Sequence, residues 1–174
     1  DAIAPFSAGR LQDWRILPLY ESWQNVQLWH LAANKGKGLV IEFARSESGF
    51  QTQNYGEQRQ HLAKVRSVDA WLPDDALYYL FNRPQQGDQE HDEWRLVRPL
   101  SSADRLVNMN KRSNAMYRLP NKAVKRVILG YRCSQEYCQQ VKHYLSQDIN
   151  YRHVECVQAQ LDPKTLCLQL VTIK

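Results

Sequence analysis

The chain has 174 residues, 43% of them hydrophobic and 24% charged, a size at which a single domain buries about 70% of the surface its unfolded form exposes. Those values exclude a disordered or low-complexity chain, and the short apolar runs exclude a bilayer-spanning helix, which needs about 20 consecutive apolar residues. The net charge of +5, from 23 Lys and Arg against 18 Asp and Glu, is a mild basic excess. A dedicated nucleic-acid binder concentrates more charge on one face.

Residues 1–12, with Pro5, Ser7 and Gly9, read as a lead-in, and residues 13–174 as one domain. Trp14 to Leu17 is expected as a strand closed by Pro18. From Ser22 to Ala33 the apolar residues Trp23, Val26, Trp29 and Leu31 recur at helical spacing, with Ser22 as cap. Asn34-Lys35-Gly36-Lys37-Gly38 ends that helix, because Asn and Gly accept the left-handed backbone of a C-terminal turn. Leu39 to Phe43 follows as a buried strand interrupted by Glu42, and 44–56 as a polar surface loop.

His61 to Val68 is expected as a strand, and Pro73-Asp74-Asp75 starts a helix whose apolar face is Leu77, Tyr78, Leu80 and Phe81. Glu93 to Arg98 alternates, so Glu93, Arg95 and Val97 share one face and Trp94, Leu96 and Arg98 the other. Residues 101–113 read as a polar loop or an irregular helical turn, and Ala115 to Leu119 as a short strand. Val124 to Leu129 is a buried-strand pattern stopped by Gly130. A helix over 134–146 then carries Tyr137, Cys138, Val141, Tyr144 and Leu145 on one stripe, capped by Ser134. Two strands, 154–160 and 166–173, close the chain around the turn Asp162-Pro163-Lys164-Thr165. The tally predicts an α+β domain with a mixed or antiparallel sheet and a few helices, ending in a β-α-β-β unit.

Cys133 and Cys138 are too widely spaced for a zinc knuckle, and no histidine completes a metal pattern, so no metal site is expected. Cys156 and Cys167 sit in strand-like runs as small apolar side chains. Reduced thiols and the lack of a signal-peptide pattern point to the cytoplasm. No serine lies in a nucleophile elbow. Lys35-Gly36-Lys37-Gly38 lacks the phosphate-loop spacing and runs from helix into strand, the reverse of a phosphate cradle.

Polar residues inside apolar elements need partners. Four stand out: His30, Glu42, Glu93 and Arg95. Their structural reading is an ion pair at a sheet edge. Their chemical reading makes Glu93 and His30 the catalytic pair, one as base or hydroxyl anchor and the other exchanging a proton. Arg95 and Lys37 then grip an anionic group and Trp29 lines the site. The cofactor is left undefined.

Three stretches together resemble a known family. Trp29-His30 with Asn34-Lys35-Gly36-Lys37-Gly38 and Ile41-Glu42-Phe43, then Glu93-Trp94-Arg95, then Val127-Ile128-Leu129-Gly130 are similar in order and spacing to blocks of the bacterial domain-of-unknown-function family numbered 2971. Leu31 and His91 replace a Tyr and a Glu of the family pattern, and its N-D-P-x-E motif has no counterpart in residues 1–10. The resemblance therefore implies a divergent or shortened member.

Two functions are expected of such a chain. One is a small bacterial domain that binds or processes an anionic nucleotide-like ligand, in one form NAD-linked ADP-ribosyl transfer with Glu93 holding a ribose hydroxyl. The other is a non-catalytic interaction or nucleic-acid-binding module of a defence or mobile-element protein. Its basic residues are Lys111, Arg112, Arg118, Lys122, Lys125, Arg126 and Arg132. Neither function involves a membrane.

Overall fold

In the computed structural model the described residues are 13–51, 53–55, 58–68, 80–84, 92–109 and 112–173. They form an α+β fold of two compact units, each assembled from two separate stretches of chain: 1–21 with 50–118, and 22–49 with 119–174. The lead-in and most of the helix expected from Pro73 lie outside the described residues; Leu80 and Phe81, at the end of that segment, are helical.

The first unit is built on an antiparallel four-stranded sheet in the order β1-β7-β4-β3. Its members are β1 (Trp14–Tyr20), β3 (Gln53–Tyr55), β4 (Gln58–Lys64) and β7 (Glu93–Pro99). Contrary to the expected stop at Pro18, β1 continues through it and keeps register with β7 over seven residues. A proline is tolerated there because β1 is an edge strand among the described residues, where a missing N–H need leave no gap in the ladder. Leu96 and Val97 are buried on the two faces of β7.

The strand expected over 61–68 is in fact two. It breaks at Val65, after which β5 (Arg66–Val68) pairs in parallel with β6 (Asn82–Pro84). The polar stretch 101–113 was expected as a polar loop or an irregular helical turn. It opens with a one-turn 3-10 helix, Leu100–Ser102, but then forms a strand, β8 (Arg105–Met109), which pairs antiparallel with β9 (Arg112–Met116). The strand expected over 115–119 thus ends at Met116.

The second unit has a mixed sheet, β12-β11-β10-β2. Here β2 (Leu39–Phe43) pairs antiparallel with β10 (Val124–Leu129), β10 parallel with β11 (Glu155–Leu161), and β11 antiparallel with β12 (Leu168–Thr172). The parallel pair is joined by α2 (Gln135–Gln147), capped by Ser134, whose hydroxyl accepts from Tyr137 N at 3.2 Å. This is the expected terminal β-α-β-β unit.

Both faces of this sheet are covered. On one, Val127, Leu129 and Ile173 pack with Cys138, Val141 and Leu145 of α2. On the other, Ile128, Val157, Ala159 and Leu168 pack under Trp23, Val26, Trp29 and Ala33. The last three belong to, or cap, the helix α1 (Val26–Ala32). That helix is shorter than expected, and its cap is Asn25, whose side chain accepts from Leu28 N at 3.2 Å; the Ser22 hydroxyl accepts instead from Gln24 N. Helix α1 ends as the Asn-Gly sequence predicted, with Asn34, Lys35 and Gly36 all at positive φ.

Candidate functional site

Alternation along β7 puts Glu93 and Arg95 side by side on one face. Arg95 Nε donates to Glu93 Oε1 at 2.7 Å, and its Nη1 donates to the Leu80 carbonyl at 2.8 Å. Arg83, from β6, approaches the other carboxylate oxygen with Nη1 at 3.8 Å. The three side chains are 12%, 20% and 22% exposed, so the cluster is largely withdrawn from water while keeping an opening.

Tyr20 stands directly opposite Glu93 in the β1–β7 register and so shares its face. Burial pushes its phenol up from the ordinary value, and the neighbouring Glu93 charge adds to that, against the pull of Arg95 and Arg83. The phenol therefore stays protonated at neutral pH, as a hydroxyl donor.

The two guanidiniums present planar forks of the type that match phosphate or carboxylate oxygens. Glu93 faces a cation on each oxygen. In this geometry it accepts a hydrogen bond from Arg95 and pairs with Arg83.

The other three expected site residues belong to the second unit. Trp29 is a core residue, 2% exposed, and its indole N–H donates to the Trp23 carbonyl at 2.6 Å. His30 is exposed on the last turn of α1. Lys37 is exposed where the left-handed turn ends, and its carbonyl accepts from the Cys133 thiol at 2.9 Å. The structure thus brings together Glu93 and Arg95 in the first unit, while Trp29, His30 and Lys37 belong to the second, the first of them buried and the other two exposed.

Arg83 and Tyr20 went unnoticed in the sequence. Tyr20 carries a weak signal, since it continues the Ile16–Pro18 alternation of β1. Arg83 carries none, because only the tertiary fold delivers it to Glu93.

Glu42, the remaining polar residue of an apolar element, anchors a different arrangement. A bulge at Lys125 brings that lysine to 3.0 Å and Arg126 to 3.4 Å from Glu42, while Arg126 Nε meets Glu155 at 2.6 Å. Glu42, Arg126 and Glu155 are directly opposite one another on β2, β10 and β11. Two of the basic residues in the expected nucleic-acid patch are therefore committed to carboxylates. Lys122, Arg118 and Arg132 are exposed, and Lys111 lies outside the described residues.

Among the described residues no group of three or more His, Cys, Asp or Glu is placed to hold a metal ion, and no helix is long and apolar enough to cross a membrane. Comparison of the chain with protein-family models, curated proteins and solved structures gives no match.

Proposed function

We propose that the chain binds an anionic, nucleotide-like ligand at Glu93, Arg95 and Arg83, with Tyr20 at the rim. The observation that carries this reading is a largely buried carboxylate faced by two guanidiniums, which pre-orients their forked donors. Phosphate or pyrophosphate oxygens match those donors, and a protonated Tyr20 supplies a neutral one. The concrete form is NAD, with Glu93 accepting from a ribose hydroxyl, and the reaction class it serves is ADP-ribosyl transfer. The same reading carries the resemblance to family 2971, with its E-W-R strand as the ligand-bearing element of this chain.

The test is a thermal-shift and calorimetric titration with NAD and ADP-ribose. At a hundred times its dissociation constant a ligand adds about 2.7 kcal/mol of stability. The shift should vanish in Glu93→Gln and shrink in Tyr20→Phe, with circular dichroism confirming that both variants are folded. No shift with either nucleotide overturns the proposal.

A second reading, the non-catalytic interaction module, draws on the β8–β9 pair, which exposes Leu106 at 56%, Met109 at 58% and Met116 at 49%. Apolar side chains gathered on one exposed ribbon favour a protein contact. Under this reading nucleotides leave the melting temperature unchanged.

A further inference from the structure

We infer that Cys133 and Cys138 form a redox-modification site, a thiol pair that a hydroperoxide oxidises to a disulfide. Both residues lie in the second unit, so the inference is independent of the proposed nucleotide site.

The start of α2 places the pair. Ser134 caps that helix, so Cys133 is the residue before the cap and Cys138 the fourth residue of the helix. Side chains at those two positions meet across the first turn, where two apolar groups commonly fix the angle at which the chain enters a helix. Here both are thiols, small apolar groups that a covalent bond can join. Cys133 packs against the core cluster that contains Cys138, and the two thiols are hydrogen-bonded to each other. The backbone is fixed at both ends of the pair: Cys133 N donates to the Gly130 carbonyl at 3.0 Å and Cys138 N to the Ser134 carbonyl at 3.0 Å.

The two thiols are not equivalent. Cys133 Sγ donates to the Lys37 carbonyl at 2.9 Å and lies 3.3 Å from that of Gly38, which leaves its lone pairs to accept from Cys138. Cys138 is 2% exposed, whereas Cys133 is half-buried and reachable from solvent. Burial raises both thiols above the ordinary value. Against it, the Gly130 backbone and the Cys138 hydrogen bond pull Cys133 back down, while the Cys133 charge and hydrogen bond push Cys138 further up. Cys133 therefore ionises first and meets the oxidant, and Cys138 waits behind it as the resolving thiol.

The chemistry balances with a hydroperoxide as the sole co-reactant. The Cys133 thiolate attacks one peroxide oxygen, the O–O bond breaks, and the other oxygen leaves with the proton the thiol gave up, as water or an alcohol. Sulfur is oxidised by two electrons to a sulfenic acid. The Cys138 sulfur then attacks the Cys133 sulfur, the S–O bond breaks, and the hydroxyl departs with the Cys138 proton as water. Closure also removes the S–H that the Lys37 and Gly38 carbonyls accept, which ties oxidation to the turn that ends α1.

The experiment is treatment of the folded chain with hydrogen peroxide, followed by alkylation and peptide mass mapping without reduction. The tryptic peptide 133–142, bounded by Arg132 and Lys142, carries both thiols. It should become lighter by two hydrogens, resist alkylation, and return to the dithiol form with dithiothreitol. Closure should be faster as pH rises from neutrality. Cys133→Ser and Cys138→Ser should each abolish it, with the Cys133 sulfenic acid of Cys138→Ser captured by dimedone. Cys156→Ser should leave it unchanged, although Cys156 packs on the same cluster. The parent chain alone decides the matter if a serine variant does not fold. A peptide 133–142 that stays open in the folded chain or closes only in urea, or a disulfide from either thiol to Cys156 or Cys167, overturns the inference.

Discussion

Gly130 lies against Gly36 so closely that a Cβ on Gly130 would meet the Gly36 carbonyl oxygen, with the Gly38 carbonyl only 2.9 Å away. The contact is backbone on backbone, and Gly130 N also donates to Gly38 O at 2.9 Å. No side-chain rotation relieves a clash there. Gly130→Ala should cost about 3 kcal/mol, the upper end for overpacking a well-filled core, seen as a large drop in the thermal midpoint with little change in the folded spectrum at low temperature.

Asn25, and not Ser22, caps α1, so the two positions should respond unequally. Asn25→Ala should lower stability by about 1 kcal/mol, while Ser22→Ala, whose hydroxyl meets only Gln24 N in an exposed turn, should stay within about 0.5 kcal/mol of the parent. Chemical denaturation of the two variants side by side measures the difference.

Helix α1 shows what the residues themselves disclose. Its apolar spacing and its glycine stop were legible, because a helix facing a sheet needs a stripe and a left-handed exit. Its start was not, because Ser22 and Asn25 are both good capping residues and only the packing of Trp23 and Trp29 selects between them. The βαβ segment from Val124 onward was legible throughout, since Val127, Ile128 and Leu129 are buried on both faces and read as an unbroken apolar run. The β8–β9 pair was not. Its β8 residues are mostly exposed on either face, so no alternation marks it. The pairing of Glu93 with Arg95 followed from their spacing on a strand. Arg83 reaches Glu93 only through tertiary packing, which no local pattern encodes.

Glu93 pairs with two largely buried guanidiniums, and removing its charge takes a counter-charge from both. Glu93→Gln should destabilise the fold by about 2 kcal/mol. In a double-mutant cycle with Arg95→Gln the two losses should be markedly less than additive, read from urea midpoints at neutral pH.

His61 couples the first unit to pH. Burial, and then the nearby Arg59 charge, hold its imidazole below the ordinary value of 6.5. As pH falls through about 6.5 the unfolded chain takes up this proton before the native one does, so native stability declines. The decline levels off once the native imidazole also protonates, and above neutral pH the residue has no effect. His61→Gln should remove this part of the acid sensitivity, as followed by thermal midpoints between pH 7.5 and 5.

The four thiols are free and should separate by reactivity. Cys167 is exposed, whereas burial pushes the thiols of Cys133, Cys138 and Cys156 above their ordinary value. Iodoacetamide under native conditions should modify Cys167 first, with Cys138 reacting only on unfolding, as peptide mass mapping over time will show.

The alternation of the two units along the chain bears on the order in which the protein is made. β1 precedes its partner β7 along the chain, and β2 likewise precedes β10. The second unit opens before the first is finished and closes only after it. Neither unit can therefore be excised by a single cut or completed on its own as the chain leaves the ribosome. β1 and β2 wait through synthesis of the intervening segments, and a nascent-chain holdase would find its exposed apolar targets in those two strands.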